Sequence, residues 1–125
     1  MTASKDPQCG CCDGWVDYLR KAGLNVSVTA TANMDAVKKR LGVPKDLASC
    51  HTAEIGGYVI EGHVPYPSIR KLLAEKPRAV GLAVPGMPAS SPGMDVAGAS
   101  DVYEVVLFGA EGRKMFGRFR GRKEV

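Results

Sequence analysis

Thr52-Ala53-Glu54-Ile55-Gly56-Gly57-Tyr58-Val59-Ile60-Glu61 is the stretch that decides how this chain folds. Two short runs of strand formers flank Gly56-Gly57, a two-residue turn signal, so the stretch reads as an antiparallel hairpin. Downstream, Pro67 suits the first turn of a helix whose apolar stripe is Ile69, Leu72 and Leu73, and Pro77 closes it. Upstream, Trp15, Val16, Leu19 and Ala22 recur at helical spacing over residues 11–22, and Gly23 offers the stop. Residues 24–30 then alternate apolar and polar as a strand. Asn33 is placed to cap a second helix in which Met34, Val37 and Leu41 share a face before Gly42 and Pro44.

The order is therefore helix, strand, helix, strand, strand, helix. A strand ahead of Cys9 would complete β-α-β-α-β-β-α, the thioredoxin-like order within the α/β class, although Thr2-Ala3-Ser4-Lys5 has little strand character. Residues 79–98 are rich in Pro, Gly and Ser and read as one long irregular loop. Residues 102–108 and 114–119, joined by Glu111-Gly112, read as a C-terminal hairpin. Met34 and Met115 fall on regular elements and are expected in the core. No internal repeat or domain boundary interrupts residues 1–125, which read as a single domain.

At 125 residues and 45% hydrophobic, the chain has material for one core. The net charge of +4 is concentrated at the end, where Arg113, Lys114, Arg118, Arg120, Arg122 and Lys123 make residues 113–125 a basic tail. No nucleic-acid-binding motif accompanies it, so it reads as a solvated, partly frayed terminus with no nucleic acid as partner. No apolar run approaches the roughly 20 residues that span a bilayer. Met1-Thr2-Ala3-Ser4-Lys5 does not resemble a signal peptide, which leaves two compartments open: the cytoplasm, or the periplasm for a mature form that has lost a leader.

All four cysteines and both histidines lie between positions 9 and 63. Thiolates and imidazoles bind soft metal ions, and thiolates also exchange disulfides. Cys9-Gly10-Cys11-Cys12 contains a CxxC pair at a strand-to-helix junction, where a helix N-terminus favours thiolate. Adjacent Cys11 and Cys12 make a poor disulfide, and a third thiol complicates simple exchange but adds a ligand to a metal site. Ser49-Cys50-His51-Thr52 precedes the hairpin and is expected to face the first motif, which makes Cys50 and His51 ligand candidates. His63 reads either as a ligand or as a capping histidine before the third helix. Met87 and Met94, in the irregular loop, read either as core filler or as thioether ligands, which would favour Cu(I). Zinc is the alternative metal, yet no second CxxC supplies the usual four-ligand set.

Together these residues resemble the CopG-type copper-resistance proteins of bacteria. The likeness rests on Lys5-Asp6-Pro7-Gln8-Cys9-Gly10-Cys11-Cys12, on Gly42-Val43-Pro44 with Ser49-Cys50-His51-Thr52, on residues 57–65, and on Gly81-Leu82-Ala83-Val84-Pro85-Gly86-Met87-Pro88 with Ser91-Pro92-Gly93-Met94. It implies a thioredoxin-like fold, a periplasmic setting and multinuclear, cysteine-bound copper, with redox interconversion of the ion. It also implies copper ions and other copper-resistance proteins as partners. By the same resemblance the ligands are Cys9, Cys12 and Cys50, then Cys11, His51 and His63, then Met87 and Met94. The chain thus reads first as a metal-binding protein. A thiol–disulfide oxidoreductase using Cys9 and Cys12, or a zinc-stabilised interaction module, are the competing readings.

Overall fold

Gly56 and Gly57 both adopt positive φ, 57° and 86°, the pair of left-handed residues that a tight two-residue hairpin turn requires. They join His51–Ile55 to Tyr58–Glu61 in antiparallel register. The computed structural model describes residues 1–125 except Cys9, Cys50, Gly86, Met87, Asp95 and Glu111, and residues 10–12 by their backbone. In chain order the described elements are β1 (Thr2–Lys5), α1 (Gly10–Lys21), β2 (Ser27–Ala30), α2 (Met34–Leu41), a 3₁₀ turn (Lys45–Leu47), β3 (His51–Ile55), β4 (Tyr58–Glu61), α3 (Tyr66–Glu75), β5 (Gly81–Ala83), β6 (Val102–Gly109), β7 (Gly112–Arg120) and β8 (Lys123–Glu124). Among the described residues, three α-helices and eight strands form a mixed α/β fold. The sheet runs β2-β1-β3-β4-β5-β6-β7-β8. Its β1–β2 and β4–β5 pairs are parallel and the others antiparallel.

β1 exists despite its composition because it is paired on both sides. Ala3 stands opposite Val28 on one flank and Ala53 on the other, and is buried. Tertiary context overrides weak local propensity here. α2 ends as expected, with Gly42 at φ 81° and its N–H donating to the carbonyls of Lys38 and Lys39, but Asn33 makes no side-chain capping bond.

Four expectations are corrected. The stretch 79–98 is not irregular throughout: β5 pairs with β4 and β6, and Gly81 lies so close to Val59 that a Cβ would sit 1.7 Å from its carbonyl oxygen. The strand predicted over 24–30 is shorter, an exposed edge at Ser27–Ala30. The basic tail is not frayed, since it supplies β7 and β8, with Phe119 fully buried between exposed Arg118 and Arg120. Met115 is 57% exposed, not core. A register shift between Val105 and Val106 moves the pairing from Val105–Gly117 to Val106–Met115. That extra residue turns Met115 from the inward face of Phe119 to the outward face of Arg118.

Two apolar layers flank the sheet. Trp15, Val16 and Leu19 of α1 and Ile69 and Leu72 of α3 pack over Ala3, Ala53, Ile60, Leu82, Val105 and Phe119. Val43 and Leu47, after α2, cover Val59, Ala83 and Phe108 on the other face. Alternation along β4 therefore sends Ile60 to the α1 side and Val59 and Glu61 to the α2 side. No helix among the described residues is long and apolar enough to cross a membrane.

Candidate metal centre

β1 and β3 meet at one end of the sheet, where Lys5 stands opposite His51. The chain leaves β1 through a turn held by Gln8 N–H donating to Asp6 Oδ1 at 2.8 Å, and Lys5 Nζ donates to Asp13 Oδ1 at 2.7 Å. It passes Cys9 and enters α1 at Gly10. Cys50 immediately precedes β3. Both cysteine segments thus leave the sheet at its β1–β3 end.

His51 projects to the α1 face, where Trp15 lies with ring centroids 4.3 Å apart and planes tilted by 37°. His63, beyond β4, brings its ring to 5.1 Å from that of His51. All three rings are buried, and Trp15 Nε1 donates to the Val64 carbonyl at 2.9 Å. His63 Nδ1 lies 2.7 Å from the Pro92 carbonyl oxygen. A carbonyl only accepts, so Nδ1 carries the proton and Nε2 the lone pair, the tautomer of an imidazole that ligates through Nε2. Burial, and then the field of His63, push the His51 pKa down to about 3, against a hydrogen bond that the ring donates to the Gly62 backbone, which raises it. His51 is therefore a neutral imidazole at physiological pH, the form that binds metals.

Gly93 closes this arrangement from the irregular loop. Its φ is 97°, and a Cβ there would stand 2.8 Å from both His63 Nδ1 and the backbone nitrogen of Trp15. Gly14 of α1 meets the Gly93 backbone in turn, where a Cβ would lie 3.0 Å from its carbonyl oxygen. Backbone contact of this kind is open only to glycine.

On the opposite face, Glu61 is fully buried. Its Oε2 accepts from Ser49 N–H at 2.7 Å and from Lys38 Nζ, and its Oε1 accepts from the Thr52 hydroxyl at 2.5 Å. Lys38 also donates to Thr52 Oγ1 at 3.0 Å.

Comparison with solved structures decides the family. "Copper resistance protein copG, Form 1" matches with 43% identity over 96% of this chain and 96% of that chain, at a TM-score of 0.89. Form 2 of the same protein matches with 43% identity over 94% and 95%, also at 0.89. A family model described as a protein of unknown function, DUF411, matches residues 47–94. The chain belongs to the CopG copper-resistance family. No curated protein matches it.

Of the ligand candidates in this CopG-family chain, His51 and His63 are brought together. Cys11 and Cys12 are placed by their backbone in the first turn of α1, while Cys9, Cys50 and Met87 lie outside the described residues. Met94, half-buried, follows Gly93 in a turn closed by its N–H donating to the Ser91 carbonyl at 3.0 Å. Among the described residues no three His, Cys, Asp or Glu side chains are grouped to hold a metal ion. Sequence reasoning missed Glu61 and Lys38 as site neighbours. One signal was present: if Val59 is buried, Glu61 two residues on shares its buried face.

Proposed function

We propose that this chain binds Cu(I) as cargo through the thiolates of Cys9, Cys11, Cys12 and Cys50 together with His51 and His63. The scaffold is read as thioredoxin-like and the setting as copper handling in the bacterial periplasm. The observation that carries the proposal is the pair of buried imidazoles, 5.1 Å apart, at the sheet end from which both cysteine segments leave. Burying imidazoles is costly unless they are bonded, and a soft ion bound by thiolate and imidazole offsets that cost. His63 supports the reading in its tautomer, and His51 in its neutral form. The arrangement β2-β1-β3-β4, with β3 antiparallel to β1 and β4, supports the thioredoxin-like reading. The 43% identity to a copper resistance protein over nearly the whole chain supports the cargo.

Trp15 is the single tryptophan and lies against His51, so it reports on the site. In an anaerobic Cu(I) titration its emission falls in step with a rising thiolate–copper absorption band. Unchanged emission and absorption at excess Cu(I) would count against the proposal.

A second reading is favoured by one observation. α1 opens at Gly10, so Cys9 and Cys12 straddle a helix N-terminus, the placement of an exchanging dithiol. Cys11→Ser separates the two. An exchange enzyme keeps most of its disulfide-reductase activity, whereas a copper site loses stoichiometry.

A further inference from the structure

Glu61 and Lys38 lie on the sheet face opposite the imidazoles, and neither is needed as a ligand in the copper reading. The donors that meet the Glu61 carboxylate come from two places: α2, through Lys38, and the segment that carries Cys50 and His51, through Ser49 and Thr52. Gly62, the next residue, donates its N–H to the His51 carbonyl at 3.1 Å. The main chain is thus tied to β4 and its end on both sides of Cys50, at Ser49 before it and at His51 and Thr52 after it. We propose that Glu61 is a positioning residue that fixes the Cys50–His51 segment for metal binding, an inference that rests on the copper reading above. Lys38 is its counter-ion and second tether to Thr52.

The arrangement suits a carboxylate. A cation and a backbone N–H converge on Oε2 and a hydroxyl on Oε1, whereas a glutamine would offer Lys38 and Ser49 only a neutral oxygen and turn its NH₂ towards Thr52. Stability alone gives little reason for an ion pair here, because well-packed apolar groups in place of a buried pair are often at least as stable. Groups that orient ligands from behind typically change metal affinity by about 10–100-fold when removed.

The test is Glu61→Gln in the full chain, with two readouts. In the metal-free protein, hydrogen exchange at the Ser49 amide is expected to accelerate by about 10-fold as its carboxylate acceptor is replaced by a neutral amide oxygen. In the folded protein, Cu(I) affinity measured against a chromophoric chelator is expected to fall by about 10–100-fold. Thr52→Val removes the Oε1 donor and the Lys38 tether to Oγ1 while leaving the Ser49 bond to Oε2. It carries the same expectation on a smaller scale, so it decides the matter should Glu61→Gln not fold. A folded variant with a lowered urea midpoint but wild-type Cu(I) affinity overturns the proposal and leaves Glu61 a structural residue. Failure of the wild-type chain to take up Cu(I) overturns the copper reading itself and this inference with it.

Discussion

β3 and β7 belong to one sheet and treat their polar residues in opposite ways. β3 buries His51 and Thr52, each about 1% exposed, beside the fully buried Glu61 of β4. β7 leaves Arg113, Lys114, Arg118 and Arg120 in solvent and turns Gly117 and Phe119 inward. The β7 pattern needs no special partners, since its charges stay hydrated while Phe119 packs against the core. The β3 pattern costs desolvation, which specific hydrogen bonds and an ion pair must offset. The chain thus places buried polar groups at the β1–β3 end, where the proposed copper site lies, and buries none of the β7 cations to a comparable degree.

The sharpest way to break this contrast is Lys38→Met. It leaves the Glu61 carboxylate buried without its cation and should cost about 3–5 kcal/mol, read as a lowered urea-unfolding midpoint. A loss indistinguishable from that of a surface lysine would show that β3 and β4 bear no such burden. Gly93→Ala follows, at about 1–3 kcal/mol, because it places a side chain at positive φ against His63 and Trp15. Its chemical denaturation should show the loss together with a shifted Trp15 emission.

The third test is pH. The folded-state pKa of His51 is lowered from 6.5 to about 3, so between those values the unfolded chain binds the proton first. Stability of the metal-free protein is therefore full above pH 6.5 and declines as pH falls towards 3. His51 accounts for about 1.4 kcal/mol per pH unit of that decline. Denaturation curves at pH 7, 6 and 5 for wild type and His51→Gln measure it, the variant showing the shallower slope. Equal slopes would place His51 in water. The smallest effect is expected from β7: Arg113→Ala removes the exposed pair with Asp46 and should leave the urea midpoint in place.

What the sequence made legible was local. The hairpin could be read because Gly56-Gly57 and its flanking runs carry their own instructions, and α1 and α3 because their stripes repeat within a few turns. β1 could not, since Thr2-Ala3-Ser4-Lys5 becomes a strand only between β2 and β3. β5 is three residues without a β-branched side chain, and its pairing with β4 and β6 is long-range. Met115 was misplaced because lying on a regular element does not say which face a residue takes, and a single bulge sets that face here. At the site, cysteine and histidine announce their chemistry by residue type, which is why His51 and His63 could be named before any geometry. Glu61 and Lys38 announce nothing, because 23 residues separate them and only the packing of α2 on the sheet brings them together. Gly93 was legible as a loop glycine, but not as the residue that lets the loop close on His63.

The central claim is the proposed one, that the buried imidazoles and the cysteines of the two sequence motifs hold copper. Metal analysis of the full chain, purified anaerobically from cells supplied with both copper and zinc, tests it most directly. The account predicts bound copper without stoichiometric zinc. One zinc per chain and no copper would contradict it.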